Sequence, residues 1–185
     1  MNKRSILLAV LICIFSISFS QTTISTFPYT EGFESGTGGW TSSGTLSSWA
    51  RGIPNGAIIG SAASGQYAWV TNLTGDYNNS ELSYLESPTL NFSALAADPI
   101  LYFSHTFITE QCCDEGWIET STNGGLTWTK LLDNGGAIEW YNDIFNLWWD
   151  GTSSSGAGNW VNAENVLLGL AGVPNAKIRF VFSSD

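Results

Sequence analysis

Acidic and sulfur-containing side chains concentrate in one short stretch of the sequence, between residues 110 and 119. Carboxylate oxygens are the hard ligands that Ca²⁺ prefers, and a spaced pair of carboxylates could also supply the acid and base of a glycoside hydrolase. The stretch has neither a regular ligand spacing nor a clustered glycosidase motif, so it predicts a cation-binding loop and no catalytic residue. Its carboxylates are those of Glu110, Asp114, Glu115 and Glu119.

Two adjacent cysteines, Cys112 and Cys113, lie within this acidic stretch. An exported protein meets oxidising conditions, but neighbouring residues can close only a small, strained disulfide ring. Three states therefore remain open: a vicinal disulfide between Cys112 and Cys113, two free thiols, or pairing with another molecule. A zinc site is excluded because it needs more cysteine or histidine ligands than the chain supplies.

His105 is the only histidine of the chain, and its position argues against a catalytic base. It falls on the apolar face of a strand-like run, where a histidine is usually a hydrogen-bonded core residue. The sequence contains neither the His-Glu-x-x-His nor the Gly-x-Ser-x-Gly motif of common hydrolases. We therefore expect a non-catalytic protein.

Nine tryptophans raise the alternative of a sugar-binding surface, because flat aromatic rings stack on the apolar faces of sugars. Trp148 and Trp149 precede Asp150 at the edge of a predicted loop and are the candidate glycan-binding residues. Adjacent residues of a strand point to opposite faces, so at least one of the two could reach the surface. The competing interpretation places most tryptophans in the core.

The first twenty residues have the pattern of a signal peptide. Lys3 and Arg4 precede an apolar run from Ile6 to Phe19, and Ser20 gives a small residue before the predicted cleavage site. Lipidation at Cys13 is the alternative, which the bulky residue before it disfavours. We predict export to the outside of the cell or to its surface, one domain over residues 21–185, and no membrane-spanning segment.

The predicted mature chain is strongly acidic, since it keeps all 16 acidic residues and only four basic ones. Such a surface repels phosphate backbones, which excludes nucleic acid as a partner. It suits an extracellular protein that binds cations, although solubility alone would also explain it.

Short apolar runs separated by Gly, Asn, Ser and Asp predict an all-β fold. In the run 100–108, Leu101, Phe103, His105 and Phe107 alternate with polar residues, and Ile178, Phe180 and Phe182 alternate with Lys177 and Arg179. Many short strands with turns between them favour a two-sheet antiparallel sandwich. The predicted strands are 66–71, 84–92, 100–108, 117–121, 127–132, 160–167 and 177–182.

A Ser-x-Asn-x-Gly-x-Thr-Trp pattern from Ser121 to Trp128 predicts a tight hairpin. Asn123 can hydrogen-bond to nearby main-chain groups, and the glycines permit a positive φ. Trp128 would then hold the hairpin against the sheet, which gives the motif an architectural role.

Four motifs in a fixed order carry a resemblance to a family. The sequence resembles bacterial choice-of-anchor J or cleaved-adhesin modules and is similar to MAM domains, which share a Phe-Glu start, a later Trp and a Leu-x-Ser-Pro strand. The matching residues here are Phe33-Glu34, Trp40 and Leu85-Glu86-Ser87-Pro88, within the segments 27–40, 65–93, 101–131 and 170–185.

This resemblance implies a concanavalin-like jelly roll that accompanies secreted peptidases or adhesins and often holds structural calcium. Glu34 is the position that the resemblance connects with a metal, so we predict one Ca²⁺ bound by Glu34 with Glu110 or Asp114. The family continues past the strand ending at Phe182 to a closing strand, so we expect residues 21–185 to lack that strand.

The implied function is adhesion or binding to an extracellular protein or a glycan. Two alternatives stay open: an accessory sandwich domain of a larger secreted peptidase, and a carbohydrate-binding module.

Overall fold

A computed structural model describes residues 22–185, in which every regular element is a β-strand. The predicted leader, with Cys13, lies outside the described residues. No helix among residues 22–185 is long and apolar enough to cross a membrane. The eleven strands are β1 (Thr23–Ile24), β2 (Thr41–Thr45), β3 (Trp49–Gly52), β4 (Ala68–Thr71), β5 (Leu82–Glu86), β6 (Thr89–Leu90), β7 (Ile100–His105), β8 (Glu115–Ser121), β9 (Thr129–Lys130), β10 (Val161–Val166) and β11 (Lys177–Ser183).

The larger layer is a five-stranded antiparallel sheet in the order β2-β5-β11-β8-β9. β11 lies at its centre, with Phe180 opposite Leu85 of β5 on one side and opposite Ile118 of β8 on the other. Leu85 and Ile118 are buried. The alternation of apolar residues in the last predicted strand is therefore confirmed, because it supplies the inner face of this sheet.

The outer face of the same sheet carries a row of alternating charges. Glu86, Arg179, Glu119 and Lys130 are opposite one another on β5, β11, β8 and β9. Arg179 donates from Nε to Glu119 Oε2 at 2.7 Å, and its guanidinium carbon lies 4.1 Å from the ring centre of Tyr84. Opposite charges directly across a sheet stabilise the pairing, so this row fixes the register of four strands.

The opposite layer consists of smaller pieces. β3 pairs with β4 and β7 pairs with β10, both antiparallel. The short parallel pair of β1 and β6 adjoins the larger sheet instead, because Leu90 of β6 bridges to Ala176, just before β11. β7 packs on the five-stranded sheet through Phe103 and Phe180, whose ring centres are 5.1 Å apart. The predicted all-β class and antiparallel pairing are confirmed, and the layers are consistent with a β-sandwich.

The main core lies between the layers and draws on the strands and the loops alike. Its buried members are Leu90, Phe92, Ile118, Leu131, Tyr141, Trp149, Leu167, Leu170, Ala176 and Ile178.

Several predicted boundaries are corrected. The run 84–92 is two strands, β5 and β6, separated at Ser87 and Pro88; proline has no N–H to continue a ladder. β7 ends at His105, because the chain then pairs only at isolated positions such as Ile108 with Thr152. β1, β2 and β3 were not among the predicted strands. β2 has no apolar alternation to mark it, because all five of its residues are polar or glycine.

The hairpin between β8 and β9 forms as its sequence predicts. Asn123 Oδ1 accepts a hydrogen bond from the Thr127 N–H at 2.9 Å, and Ser121 Oγ accepts one from the Gly125 N–H at 2.9 Å. Gly125 has a φ of 93°, which a residue with a side chain rarely adopts. Trp128 lies over Arg179, with its ring centre 4.3 Å from the guanidinium carbon.

Replacing Asn123 with Ala removes the side-chain acceptor that closes this hairpin. We expect Asn123→Ala to lower the free energy of unfolding by about 1–2 kcal/mol, measured by urea denaturation. Leu126→Ala is the matched control, because Leu126 is in the same turn and 84% exposed. A loss as large in the control as in Asn123→Ala would contradict the assigned role.

Candidate functional site

A cleft of about 360 Å³ opens between the two layers of the sandwich. Phe180 of β11 forms part of its floor, and it is only half-buried although it lies on the inner face of the central strand. Trp49 and Thr71 line the cleft from β3 and β4, and Phe103 and His105 line it from β7. The cleft therefore separates the two pieces of the smaller layer.

His105 lies among aromatic rings at the wall of this cleft. Its ring centre is 4.8 Å from that of Trp149, and it stacks on Phe107 at 5.7 Å. Burial lowers the pKa of His105 to about 4, against the opposing effect of a main-chain hydrogen bond with Glu139. His105 is thus neutral at pH 7, and it is half-buried at the border between the core and the cleft.

The acidic turn, residues 110–114, is joined to the lining of the cleft through Tyr77. Tyr77, which lines the cleft, donates its phenolic hydrogen to Asp114 Oδ2 at 2.5 Å. Asp114 is 5% exposed, and its other oxygen accepts the Asp185 N–H at 3.1 Å. Burial, followed by the neighbouring Asp114 carboxylate, raises the pKa of Tyr77 to about 12, so Tyr77 remains a hydrogen-bond donor at physiological pH.

Glu34 is held in a different environment. Its Oε1 accepts the N–H groups of Gln66 at 3.0 Å and Tyr67 at 2.9 Å. These main-chain hydrogen bonds lower the pKa of Glu34. Arg51 donates to the carbonyl oxygens of Phe33 and Glu34 and so fixes this loop.

The predicted calcium ligands are only partly brought together. Glu110 and Asp114 share the acidic turn, whereas Glu34 contacts the loop at residues 65–67 and Arg51. Within residues 22–185 there is no group of three or more His, Cys, Asp or Glu side chains arranged to hold a metal ion. Calcium binding by Glu34 with Glu110 or Asp114 stays a prediction.

Cys112 and Cys113 are joined as a vicinal disulfide in the structure. The Cys112 N–H donates to Asp150 Oδ2 at 3.0 Å, and Asp150 is itself buried. Cys112 has a φ of 84°. The cysteine pair thus ties the acidic turn to the segment that follows Trp149.

The two adjacent tryptophans differ in their surroundings. Trp149 is buried in the core, with ring centres 4.8 Å from Tyr141 and 5.3 Å from Trp140. Trp148 is half-buried, and Lys130 Nζ lies 5.3 Å from its ring centre. The prediction that at least one of the pair could reach the surface depends on Trp148, because the core packing covers Trp149 except where it borders the cleft.

An exposed apolar turn leads up to Trp148. Ile144 is 70% exposed and Phe145 is 90% exposed. Asp143 fixes the turn beneath them, since its Oδ1 accepts the N–H groups of Phe145 and Asn146, both at 2.9 Å. We call residues 143–148 the apolar tip.

Sequence reasoning missed both Tyr77 and the apolar tip. Tyr77 lies in a polar segment, Asp76-Tyr77-Asn78, and only the fold brings it to Asp114. The tip did carry a signal: an Asp that can cap a turn is followed by two large apolar residues, Ile144 and Phe145.

Comparison with known proteins gives one relationship of limited extent. The chain is 31% identical over 120 residues to Bacillopeptidase F of Bacillus subtilis (strain 168). The match takes in 64% of this chain but only 8% of that protein. No family model matches the sequence, and no solved structure matches it.

The low pKa of His105 makes stability depend on pH. His105 binds a proton at its ordinary pKa of about 6.5 when unfolded, but only near pH 4 when folded. The contribution of neutral His105 to the free energy of unfolding is therefore fully present above pH 6.5 and is lost as the pH falls toward 4. We expect His105→Phe to remove about 2–3 kcal/mol of the stability difference between pH 7 and pH 4, measured by urea denaturation. An unchanged difference would contradict the assignment.

Proposed function

We propose that residues 22–185 form a non-catalytic binding module of an exported protein. The observation that carries this proposal is the apolar tip, which presents Ile144 and Phe145 to solvent on a turn fixed by Asp143. Large apolar side chains exposed on an ordered loop of a rigid scaffold are typical of recognition surfaces. The module acts by contact and carries out no chemistry of its own.

The partner that suits the tip best is an extracellular protein surface. An isoleucine and a phenylalanine can insert into an apolar pocket of a partner, where aromatic anchors contribute much of the binding energy. Trp148 lies at the base of the same tip, with Lys130 against its ring. Export, predicted from residues 1–20, would bring the module to such partners.

An accessory role beside a peptidase is supported by the comparison. The matched relative is named as a peptidase, and the shared region is a small part of it. Residues 22–185 would accordingly serve a larger polypeptide as a separately folded sandwich. Membership of the choice-of-anchor J or MAM-like group is proposed on the motifs at Phe33-Glu34 and Leu85-Pro88.

A glycan-binding function is the second candidate, and one observation favours it. Trp148 keeps part of its ring accessible beside the cation of Lys130, and an accessible indole can stack on a sugar. The two candidates predict different sensitive residues: Phe145 for a protein partner and Trp148 for a glycan.

Substitution of Phe145 tests the proposed function. The labelled protein, residues 21–185, is applied to a glycan array and to an array of immobilised extracellular proteins. We expect Phe145→Ala to weaken binding to its protein target about tenfold or more, because a buried aromatic anchor contributes about 2 kcal/mol. Leu126→Ala is the control, as Leu126 is also largely exposed, on a different turn.

The same arrays separate the alternatives. Binding to glycans that Trp148→Ala abolishes and Phe145→Ala leaves intact would favour the carbohydrate-binding function. Equal losses for Phe145→Ala and Leu126→Ala would contradict a role for the apolar tip.

Calcium is tested by thermal melting in excess CaCl₂ and in excess EDTA. If Glu34 and either Glu110 or Asp114 bind Ca²⁺, the midpoint is higher in calcium, because a ligand that binds only the folded state stabilises it. Glu34→Gln should then remove that difference, and Glu31→Gln serves as the matched control in the same loop. Identical midpoints in CaCl₂ and EDTA would overturn the prediction.

A further inference from the structure

We propose that the Cys112–Cys113 pair is a thiol–disulfide exchange site whose reduction loosens the apolar tip. The oxidised pair holds the acidic turn, the acidic turn donates a hydrogen bond to Asp150, and Asp150 closes the base of the tip. The consequence for a binding partner rests on the proposed function, whereas the change in the order of the tip does not.

The cysteine pair lies where a reductant can reach it. Cys112 is exposed and Cys113 is half-buried, and the two residues before them, Glu110 and Gln111, are exposed as well. Disulfide exchange needs access of the attacking thiolate to a sulfur, and exposed disulfides are the ones that exchange most readily. The pair is therefore open to a reagent that a disulfide within the core would not meet.

The main chain at Cys112 adopts a conformation that has to be held. Its φ of 84° lies in the left-handed region, which a residue with a side chain rarely adopts. The disulfide closes a small ring through Cys112 and Cys113, so neither residue can rotate freely while the bond is intact. Reduction opens this ring and lets Cys112 return to a negative φ, which reorients the peptide plane that carries its N–H.

The N–H of Cys112 is a donor to a buried carboxylate. It lies 3.0 Å from Asp150 Oδ2, and Asp150 is only 4% exposed. A buried carboxylate depends on the hydrogen bonds that it accepts, because water does not take the place of a donor that leaves. Loss of the Cys112 donor therefore favours movement of Asp150 out of its buried position.

Asp150 closes the base of the apolar tip together with Asn142. The Asp150 N–H donates to Asn142 Oδ1 at 3.0 Å, and Asn142 Nδ2 donates to the Asp150 carbonyl oxygen at 2.7 Å. Within the tip, the Asp143 N–H donates to the Trp148 carbonyl oxygen at 3.1 Å. A shift of Asp150 thus weakens the hydrogen bonds that hold the two ends of the tip together.

Other contacts confine the change to the tip. Gly116 and Trp149 exchange two main-chain hydrogen bonds, and the Thr109 N–H donates to the Gly151 carbonyl oxygen at 2.7 Å. None of these bonds involves the cysteine pair. We therefore expect a local loosening on reduction and no loss of the sandwich.

The exchange step balances when the reductant is a dithiol. One thiolate of the dithiol attacks a sulfur of the pair and forms a mixed disulfide, and the other cysteine leaves as a thiolate. The second thiolate of the reductant then attacks the mixed disulfide, releases the remaining cysteine and closes the reductant's own disulfide. Two electrons pass to the protein, and the two protons of the dithiol end on Cys112 and Cys113.

The test compares the ¹⁵N-labelled chain, residues 21–185, before and after reduction with dithiothreitol, by intact mass and by amide hydrogen exchange in NMR. Reduction should add two hydrogen atoms. The amides of Asp143, Trp148 and Asp150 should then exchange about threefold to tenfold faster, because their hydrogen bonds open more often. The amides of Gly125 and Thr127, which are bonded within their own hairpin, should not change.

Two variants complete the test. The double variant Cys112→Ser/Cys113→Ser cannot form the bond, so its tip should exchange like that of the reduced protein and should not respond to dithiothreitol. Gln111→Ala is the matched control, because it alters the neighbouring side chain of the same turn and keeps the cysteine pair. It should respond to dithiothreitol as the unaltered protein does.

Equal exchange of the tip in the oxidised and reduced proteins would overturn the proposal. Two free thiols in protein purified without reductant would also overturn it. Equal acceleration at Gly125 and Thr127 would do the same, since the pair would then hold the whole fold. These measurements need no binding partner, so a screen that finds none would count against the proposed function alone.

Discussion

Strand β11 is hydrogen-bonded on both edges, to β5 and to β8, and both of its faces are covered. Its inward residues, Ile178, Phe180 and Phe182, meet the smaller layer. Its outward Arg179 is held between the rings of Tyr84 and Trp128 and is paired with Glu119. Because one strand carries the core on one side and the charged row on the other, the register of the sheet cannot slip without losing both.

Among residues 22–185, the smaller layer has no equivalent central strand. Its pieces, β3-β4 and β7-β10, pack on the five-stranded sheet separately and leave the cleft between them. Tyr77, which lines this cleft, donates a hydrogen bond to Asp114 of the acidic turn, and the Cys112 N–H ties that turn to Asp150. The segment that first suggested a metal site thus makes architectural contacts through Cys112 and Asp114.

The parts of the fold that sequence could predict are those with a local signal. The alternation of apolar and polar residues predicted which side chains of β7 and β11 face the core. The spacing of Ser121, Asn123 and Trp128 predicted the hairpin. β2 gave no such signal, because its residues are small, polar and exposed and form a strand only through pairing with β5. Propensity is a weak guide where a neighbouring strand decides the outcome.

The candidate sites show the same division. The sequence indicated that Trp148 and Trp149 face opposite ways, because they are adjacent in the chain. The burial of Trp149 depends on the rings of Tyr141, Trp140 and Phe103, which other segments bring against it. The pairing of Tyr77 with Asp114 joins residues far apart in sequence, and no local pattern encodes it. The cleft between the pairs β3-β4 and β7-β10 likewise depends on how the strands are arranged in the sheets, which short apolar runs in the sequence do not reveal.

Amide hydrogen exchange of the ¹⁵N-labelled protein, followed by NMR, tests the account most directly. If β11 is the doubly paired centre and β7 is paired on one edge only, all amides of β11 should be strongly protected. In β7, the alternate amides that point away from β10 should exchange much faster than those that point toward it. Uniform protection along β7, or fast exchange along one edge of β11, would contradict the account.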